Sequence, residues 1–580
     1  MIRYRVDLPD RIHHLVRVTV TIPADLAAGG RLVLPVWTPG SYVVRDYVRH
    51  VQWIAARDCD GRDLEVQPDG GTAWRLPDDA IGPVEVTLEL YANDLTVRTN
   101  HVDDHHALLI PAATFPYVEG GEDRQHQVWI PPSPAGHRVW SLLPQAPDTP
   151  GGDTFVADDR DHLVDSAFEV GAFPHIDFEV EGVAHSFVWA AHGGRPDLDR
   201  VARDAAAIFD AAVELFDGEL PIERYTILAV GWERGEGGLE HRDGAVVQMP
   251  VGLFQDDELY ARFQSLLAHE YLHLWNVKRL VPAGLTRPAY DRPTRSPSLW
   301  VAEGWTAYYD DLLPLRSGTW PVRRVLDVLA GTYQRLRDTP GTAVQSLREA
   351  SRDAWTKHYV RDENAVNAMT DYYGHGSLVA WELDLHLRDR DPGGDGLDAA
   401  LRTLWARHGR SAQEYTEDDV LAAVAEVGGD DLAALADQRA GRPGLPELDE
   451  VVAAAGLAWR TETGPTPPRL GVKATDDADG VTFTSVLRHQ PAWEAGITGG
   501  DRLIAIDGRT VGAGQLATVL LAHSSGDTVQ VTVTRGPRLL TFGITLAEPT
   551  PPLKLVIVDD PTDPQRQAFR RWTGHAIGDS

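Results

Sequence analysis

The chain has 580 residues, too many for one hydrophobic core, so three or four domains are expected. Hydrophobic residues make up 43%, enough for well-packed cores, and no apolar stretch approaches the roughly 20 residues of a membrane span. The formal net charge of −32 argues against nucleic acid and anionic membranes as partners, because phosphate contact needs a basic surface.

The start of the chain, residues 1–8, lacks the apolar core and small-residue cleavage site of a secretory signal, so cytoplasm is the economical location. Residues 1 to about 170 alternate apolar and polar side chains between Gly, Pro and Asp turns, as at 15–22 and 84–90, and read as a β-rich domain. Cys59 is the only cysteine, which excludes an internal disulfide, and its thiol reads as a small core residue. Trp37, Tyr42 and Arg45 suit either the lining of a substrate pocket or, more commonly for such residues, core and rim. From about 171 to 460 apolar strands and helices mix. The run 225–230 is a buried strand, the stretch Gly237-Gly238-Leu239-Glu240-His241 follows it, and 245–247 is a further strand.

A helix then begins at Asp256 and Asp257, whose side chains suit an N-cap. Leu259, Phe263, Leu266, Leu267 and Leu274 recur at helical spacing, and the run is expected to continue to Pro282, with Lys278 and Arg279 in its last turns. Four prolines (282, 288, 293, 297) separate it from a second helix, capped by Ser298 and expected over 299 to about 313. A helical lobe follows from about 320, with helices near 322–337, 373–388 and 418–427. The Pro/Gly/Thr-rich stretch 461–468 marks a boundary. The last segment, 548–580, holds a short strand at 553–558 and a helix near 565–572 that docks back on the body.

Within the first of these helices lies His269-Glu270-Tyr271-Leu272-His273, an HExxH motif. Residues four apart share a helix face, so the two imidazoles can grip one zinc ion at roughly 2.0–2.1 Å, with Glu270 beside the metal as a base for water. Hydrolytic zinc sites need a third protein ligand. Glu303, 30 residues beyond His273, is the candidate, because its neighbours Trp300, Leu299 and Ala307 are apolar and an unpaired carboxylate there would be costly. Gly237 and Gly238 would let a substrate backbone approach a sheet edge.

Five stretches together resemble the glycyl aminopeptidase family of gluzincin metallopeptidases: residues 34–47, 237–241, 269–280, 300–309 and 372–378. The resemblance implies a multidomain α+β protein, with an N-terminal β-rich domain (1–170) and a thermolysin-like catalytic domain with a helical lobe (171–460). It also implies one zinc ion per chain on His269, His273 and Glu303, with Glu270 as general base. Tyr373 would be the oxyanion donor, with Tyr372 as its rival, and His375 replaces the family's usual lysine. Glu240 would bind the free α-amino group of a peptide, which selects N-termini over internal peptide bonds.

Residues 469–547 resemble a bacterial PDZ domain, with Leu470, Gly471 and Val472 in the loop that holds a peptide carboxylate. The expected partners are peptides with a free N-terminus and a peptide or protein ligand at the PDZ domain, with no nucleic acid and no membrane; oligomeric state is open. The expected activity is a zinc aminopeptidase, with glycine or alanine implied at the cleaved residue. The alternatives are an endopeptidase in which Glu240 is structural, and a PDZ peptide-binding scaffold with a vestigial metal site.

Overall fold

Period-two alternation builds the first sheet. Val16, Val18, Val20 and Ile22 of the strand Leu15–Ile22 are fully buried while the residues between them are not. This strand pairs antiparallel with Ile2–Asp10 on one side and Val84–Tyr91 on the other, in a seven-stranded sheet. Two four-stranded sheets complete the β-rich region, as alternation predicts. The computed structural model describes residues 1–132, 136–147, 152–391, 393–478 and 480–578.

By its contacts the chain divides into two units. The first comprises Met1–Ser296, Tyr309–Trp320 and Leu404–Tyr415; the second comprises Pro297–Tyr308, Pro321–Thr403 and Thr416–Ser580. Besides the β-rich region, the first unit holds a five-stranded sheet. Its strands run in the order His175–Val180, Val183–Ala191, Arg224–Trp232, Gly244–Pro250 and Gly237–His241. The middle three are parallel, and the near-continuous burial of Arg224–Trp232 reflects cover on both faces. Gly237–His241 pairs antiparallel at the sheet's edge. The helices Leu198–Leu215 and Asp257–Leu272 pack together, and the Phe209 and Tyr271 rings stack with centroids 3.7 Å apart.

The second unit is built around the helix Tyr372–Arg390, buried on nearly every side. Its polar residues are paired inside the core: Arg388 Nε donates to Asp384 Oδ1 at 2.9 Å, and Arg439 Nη2 donates to Glu382 Oε1 at 2.8 Å. Helices Val322–Arg337 and Glu417–Gly428 fall where the sequence periodicity predicts them. A further sheet, in the order Val472–Asp477, Gly480–Val486, Arg502–Ile506, Thr528–Arg535 and Arg538–Thr545, encloses a core that includes Phe483 and Val531. The strand Leu553–Ile557 then pairs with Leu457–Thr461, so the chain returns to the strand that precedes this sheet. The final helix, Asp563–Thr573, buries Phe569 and Trp572, and Trp572 Nε1 donates to Tyr308 Oη at 2.8 Å.

Three local expectations need correction. Cys59 is exposed. The buried residue in that turn is Asp58, whose Oδ1 accepts from the backbone of Asp60 and Arg62, and its neighbour consequently faces solvent. The HExxH helix ends at Leu272, well short of Pro282, so Lys278 and Arg279 lie beyond it. The second helix is short, Leu299–Ala302, and a new one runs Thr306–Arg316. Ser298 makes no capping bond there; Ser351 Oγ accepts from Trp300 N at 3.0 Å instead. Among the described residues no helix is long and apolar enough to cross a membrane.

Candidate active site

Asp256 caps the HExxH helix as its position predicts, accepting from the backbone of Glu258 and Leu259 at 2.9 and 3.1 Å. His273 is the C-cap, and the early helix end matters for it. The chain turns back so that His273 Nδ1 lies 2.7 Å from the carbonyl oxygen of Asn276. A carbonyl only accepts, so Nδ1 carries the proton and Nε2 keeps its lone pair. His269 Nδ1 lies 2.8 Å from Asp310 Oδ2, which orients the second imidazole in the same way. The two ring centroids are 4.6 Å apart and the rings nearly perpendicular. The sequence signal for Asp310 is slight, a carboxylate seven residues past Glu303 on an apolar helix.

His269 and His273 lie in the first unit and Glu303 in the second, and each carries a side chain that can ligate a metal ion. Two imidazole nitrogens with lone pairs and one carboxylate oxygen are donors of the kind that suits zinc. Glu303 is 2% exposed. Gly304, beside it, sits so close to the helix Tyr372–Arg390 that a Cβ would lie 2.7 Å from the Gly376 Cα. That close crossing fixes Glu303 relative to Tyr373. Burial, then the Glu303 charge, push the Tyr373 phenol well above its ordinary pKa, so it stays protonated. Its hydroxyl lies 2.8 Å from that of Tyr359, to which Tyr372 also donates at 3.2 Å. His375 is buried with Nδ1 2.9 Å from Thr370 Oγ1, and burial lowers its pKa to about 4, so it is a neutral structural residue.

Glu270 is 5% exposed and faces the edge strand Gly237–His241. A Cβ on Gly238 would overlap the Glu270 carboxylate and lie 2.8 Å from its Cγ. Gly238 is therefore required for the glutamate to occupy its place. Glu240, Glu270 and His273 form a second group of potential ligand atoms within 4.8 Å. Glu240 is 4% exposed and, among the described residues, its Oε1 has no hydrogen-bond partner. The nearest cation is Lys278, whose Nζ is 3.8 Å from that oxygen and donates to Asp165 at 2.9 Å. Burial alone would lower the Lys278 pKa, but the charges of Asp165 and Glu240 raise it above the ordinary lysine value. Burial likewise works against the Asp165 carboxylate. Lys278 and the His241 ring, whose Nδ1 is 3.2 Å from Asp165 Oδ1, outweigh it and hold Asp165 well below the usual carboxylate range.

A cleft of about 630 Å³ opens beside Glu240, walled by Trp37, Gly40, Tyr42, Asp165 and Lys278. Trp37 and Tyr42 thus line a cavity as well as filling the domain. None of the HExxH side chains forms part of the cleft wall. Gly40 has φ +82°, and a Cβ there would stand 2.5 Å from both Glu240 carboxylate oxygens. Arg98 Nη2 donates to the Gly238 carbonyl at 3.0 Å, tying the β-rich region to the edge strand. Separately, in the second unit, a groove of about 460 Å³ is lined by Leu470, Gly471, Val472, Leu516 and Leu520, beside the sheet-edge strand Val472–Asp477.

The chain matches the model of the Peptidase M61 N-terminal domain over residues 3–172, of the M61 glycyl aminopeptidase over 262–379, and of a PDZ domain over 468–546. No curated protein sequence matches it. Among solved structures, an aminopeptidase N family protein from Idiomarina loihiensis is 28% identical, with 99% of this chain and 100% of that one covered and a TM-score of 0.93. An M1 zinc metallopeptidase from Deinococcus radiodurans is 15% identical over 77% of this chain and 94% of its own, with a TM-score of 0.47. With both peptidase regions matched in order and the PDZ domain behind them, the chain belongs to the M61 glycyl aminopeptidase family and is a metallo-aminopeptidase with a C-terminal PDZ domain.

Proposed function

We propose that the protein removes single residues from the free N-termini of peptides, using one zinc ion held by His269, His273 and Glu303. When bound, the ion supplies Lewis acidity for the scissile carbonyl and for water. Glu270 takes the proton from the attacking water and passes it to the leaving amine. Tyr373, kept protonated by burial and by Glu303, donates to the oxyanion. Gly237 and Gly238 let the substrate backbone lie along the edge strand. Glu240 receives the α-ammonium.

The observation that carries this reading is Glu240 itself, a buried carboxylate with an oxygen lacking a hydrogen bond, next to Glu270 and His273. An ammonium would satisfy that oxygen; an internal amide brings no charge to it. The Gly40 backbone lies against the same carboxylate, and the family resemblance is what favours glycine or alanine as the released residue. The PDZ groove at Leu470, Gly471 and Val472 takes a peptide C-terminus by strand addition along Val472–Asp477. The test is turnover of aminoacyl reporter amides and of one peptide in free and N-acetylated forms, with and without chelator. Equal cleavage of the blocked peptide would convert the assignment to an endopeptidase with Glu240 held structurally by Lys278.

A further inference from the structure

A second group of metal-ligating side chains lies in the β-rich region, apart from the catalytic residues. His101 and His106 flank a tight turn between the strands His101–Val102 and Ala107–Leu109. Asp103 organises that turn: its Oδ1 accepts from the backbone of His105 and His106, both at 2.8 Å. Its other oxygen, Oδ2, is left facing the imidazoles. His101 Nε2 is 3.4 Å from Oδ2 and His106 Nε2 is 3.8 Å from it. Both histidines are more than nine-tenths buried.

We propose that His101, Asp103 and His106 form a second cation site, for a borderline divalent metal of the zinc class. Their ligand atoms lie within 4.8 Å of one another. Charge-assisted hydrogen bonds from nitrogen to a carboxylate are about 2.7–2.9 Å long. Separations of 3.4 and 3.8 Å are too long for good ones. Two ligands bound tetrahedrally at roughly 2.0–2.2 Å from a common ion stand about 3.3–3.6 Å apart, which is close to what the site presents. Two imidazoles and one carboxylate select zinc-like ions over calcium or magnesium, which prefer all-oxygen shells.

The surroundings support the site. His106 Nδ1 is 3.0 Å from Oε1 of the fully buried Glu169, the arrangement that leaves Nε2 as the ligating atom. Glu169 Oε2 and His101 Nδ1 are buried without hydrogen bonds, so a closed hydrogen-bond network does not account for the cluster. The charged neighbours are the Asp103 and Glu169 carboxylates and the Arg11 guanidinium, whose Nε donates to the Asp103 carbonyl at 2.9 Å. His192, just past the strand Val183–Ala191, approaches the same Oδ2 at 3.1 Å from an exposed position. The His105 ring lies tilted against that of His192, with centroids 4.0 Å apart. The turn follows closely on Arg98, which holds the Gly238 carbonyl, so a metal here would pin the segment that touches the substrate strand.

The test counts metal on the full-length protein. Chelator-stripped protein is reloaded with cobalt(II) by equilibrium dialysis, and cobalt per chain is read by elemental analysis and visible spectrum. His101→Ala/His106→Ala is expected to lose one equivalent while its circular dichroism stays that of the wild type. His269→Ala/His273→Ala is expected to keep that equivalent, with the intense visible band of a low-coordinate nitrogen–oxygen site. The two variants distinguish this site from the catalytic one, whichever metal the latter holds. Equal cobalt stoichiometry in the wild type and His101→Ala/His106→Ala would overturn the proposal. So would absence of cobalt from His269→Ala/His273→Ala, a readout that does not need the first variant to fold.

Discussion

Replacing Gly238 by alanine is the sharpest test of how the site is assembled. The added methyl would stand 2.8 Å from the Glu270 Cγ and overlap its carboxylate, where ordinary contact begins at 3.4 Å. Gly238 lies on an edge strand paired on one side only, to Val247 of Gly244–Pro250, but the strand cannot retreat without giving up that pairing. The glutamate, at the end of a side chain, must therefore yield by about 1 Å, a misplacement that costs on the order of 100-fold in rate. That corresponds to about 2.7 kcal/mol of transition-state stabilisation. The assay is steady-state hydrolysis of glycyl and alanyl reporter amides, with metal content and melting temperature measured on the same samples. The expected result is a fall of about 100-fold in kcat with metal retained. Wild-type kcat in folded, metal-loaded Gly238→Ala would refute the argument, because Glu270 would then not be working from the observed position.

Glu270→Gln should keep its metal and lose turnover by about 10²–10⁴-fold, read by elemental analysis beside kcat. Glu240→Gln should lower kcat/KM for free-amine peptides by about 10- to 100-fold and narrow the preference over N-acetylated peptides; an unchanged preference would make Glu240 structural. Tyr373→Phe should lower kcat more than Tyr372→Phe if Tyr373, whose pKa burial and the Glu303 charge raise, is the oxyanion donor. Asp165 has a depressed folded pKa, so its stabilisation is fully present above the unfolded value of about 3.9 and is lost as pH falls through the folded one. The melting-temperature gap between wild type and Asp165→Asn should accordingly hold from pH 7 to about pH 4 and shrink below it. A gap that widens on acidification would contradict the Lys278–Asp165 account.

Local pattern sufficed for much of this protein. Period-two burial set the strands Leu15–Ile22 and Val84–Tyr91, and 3.6-residue periodicity set the helices Val322–Arg337 and Glu417–Gly428, because both depend only on which face meets the core. The HExxH spacing placed two imidazoles on one helix face for the same reason, and an apolar neighbourhood marked Glu303 as a carboxylate in need of a partner. Where the HExxH helix stops was not legible. Apolar periodicity continues past Leu272, while a bond from His273 to the Asn276 carbonyl and the positive φ of Val277 end the helix.

Contacts between distant segments lay wholly outside the linear pattern. Asp310 behind His269, Gly238 under Glu270, Gly40 against Glu240 and Lys278 between Asp165 and Glu240 join residues tens to hundreds of positions apart. So do the two arms of the Glu169–His106 bond in the β-rich region. Sequence determines such features only through packing, since a side chain's partner is chosen by which surfaces the core brings face to face. That is why residue chemistry named the reaction and tertiary structure chose the atoms that hold each group in place.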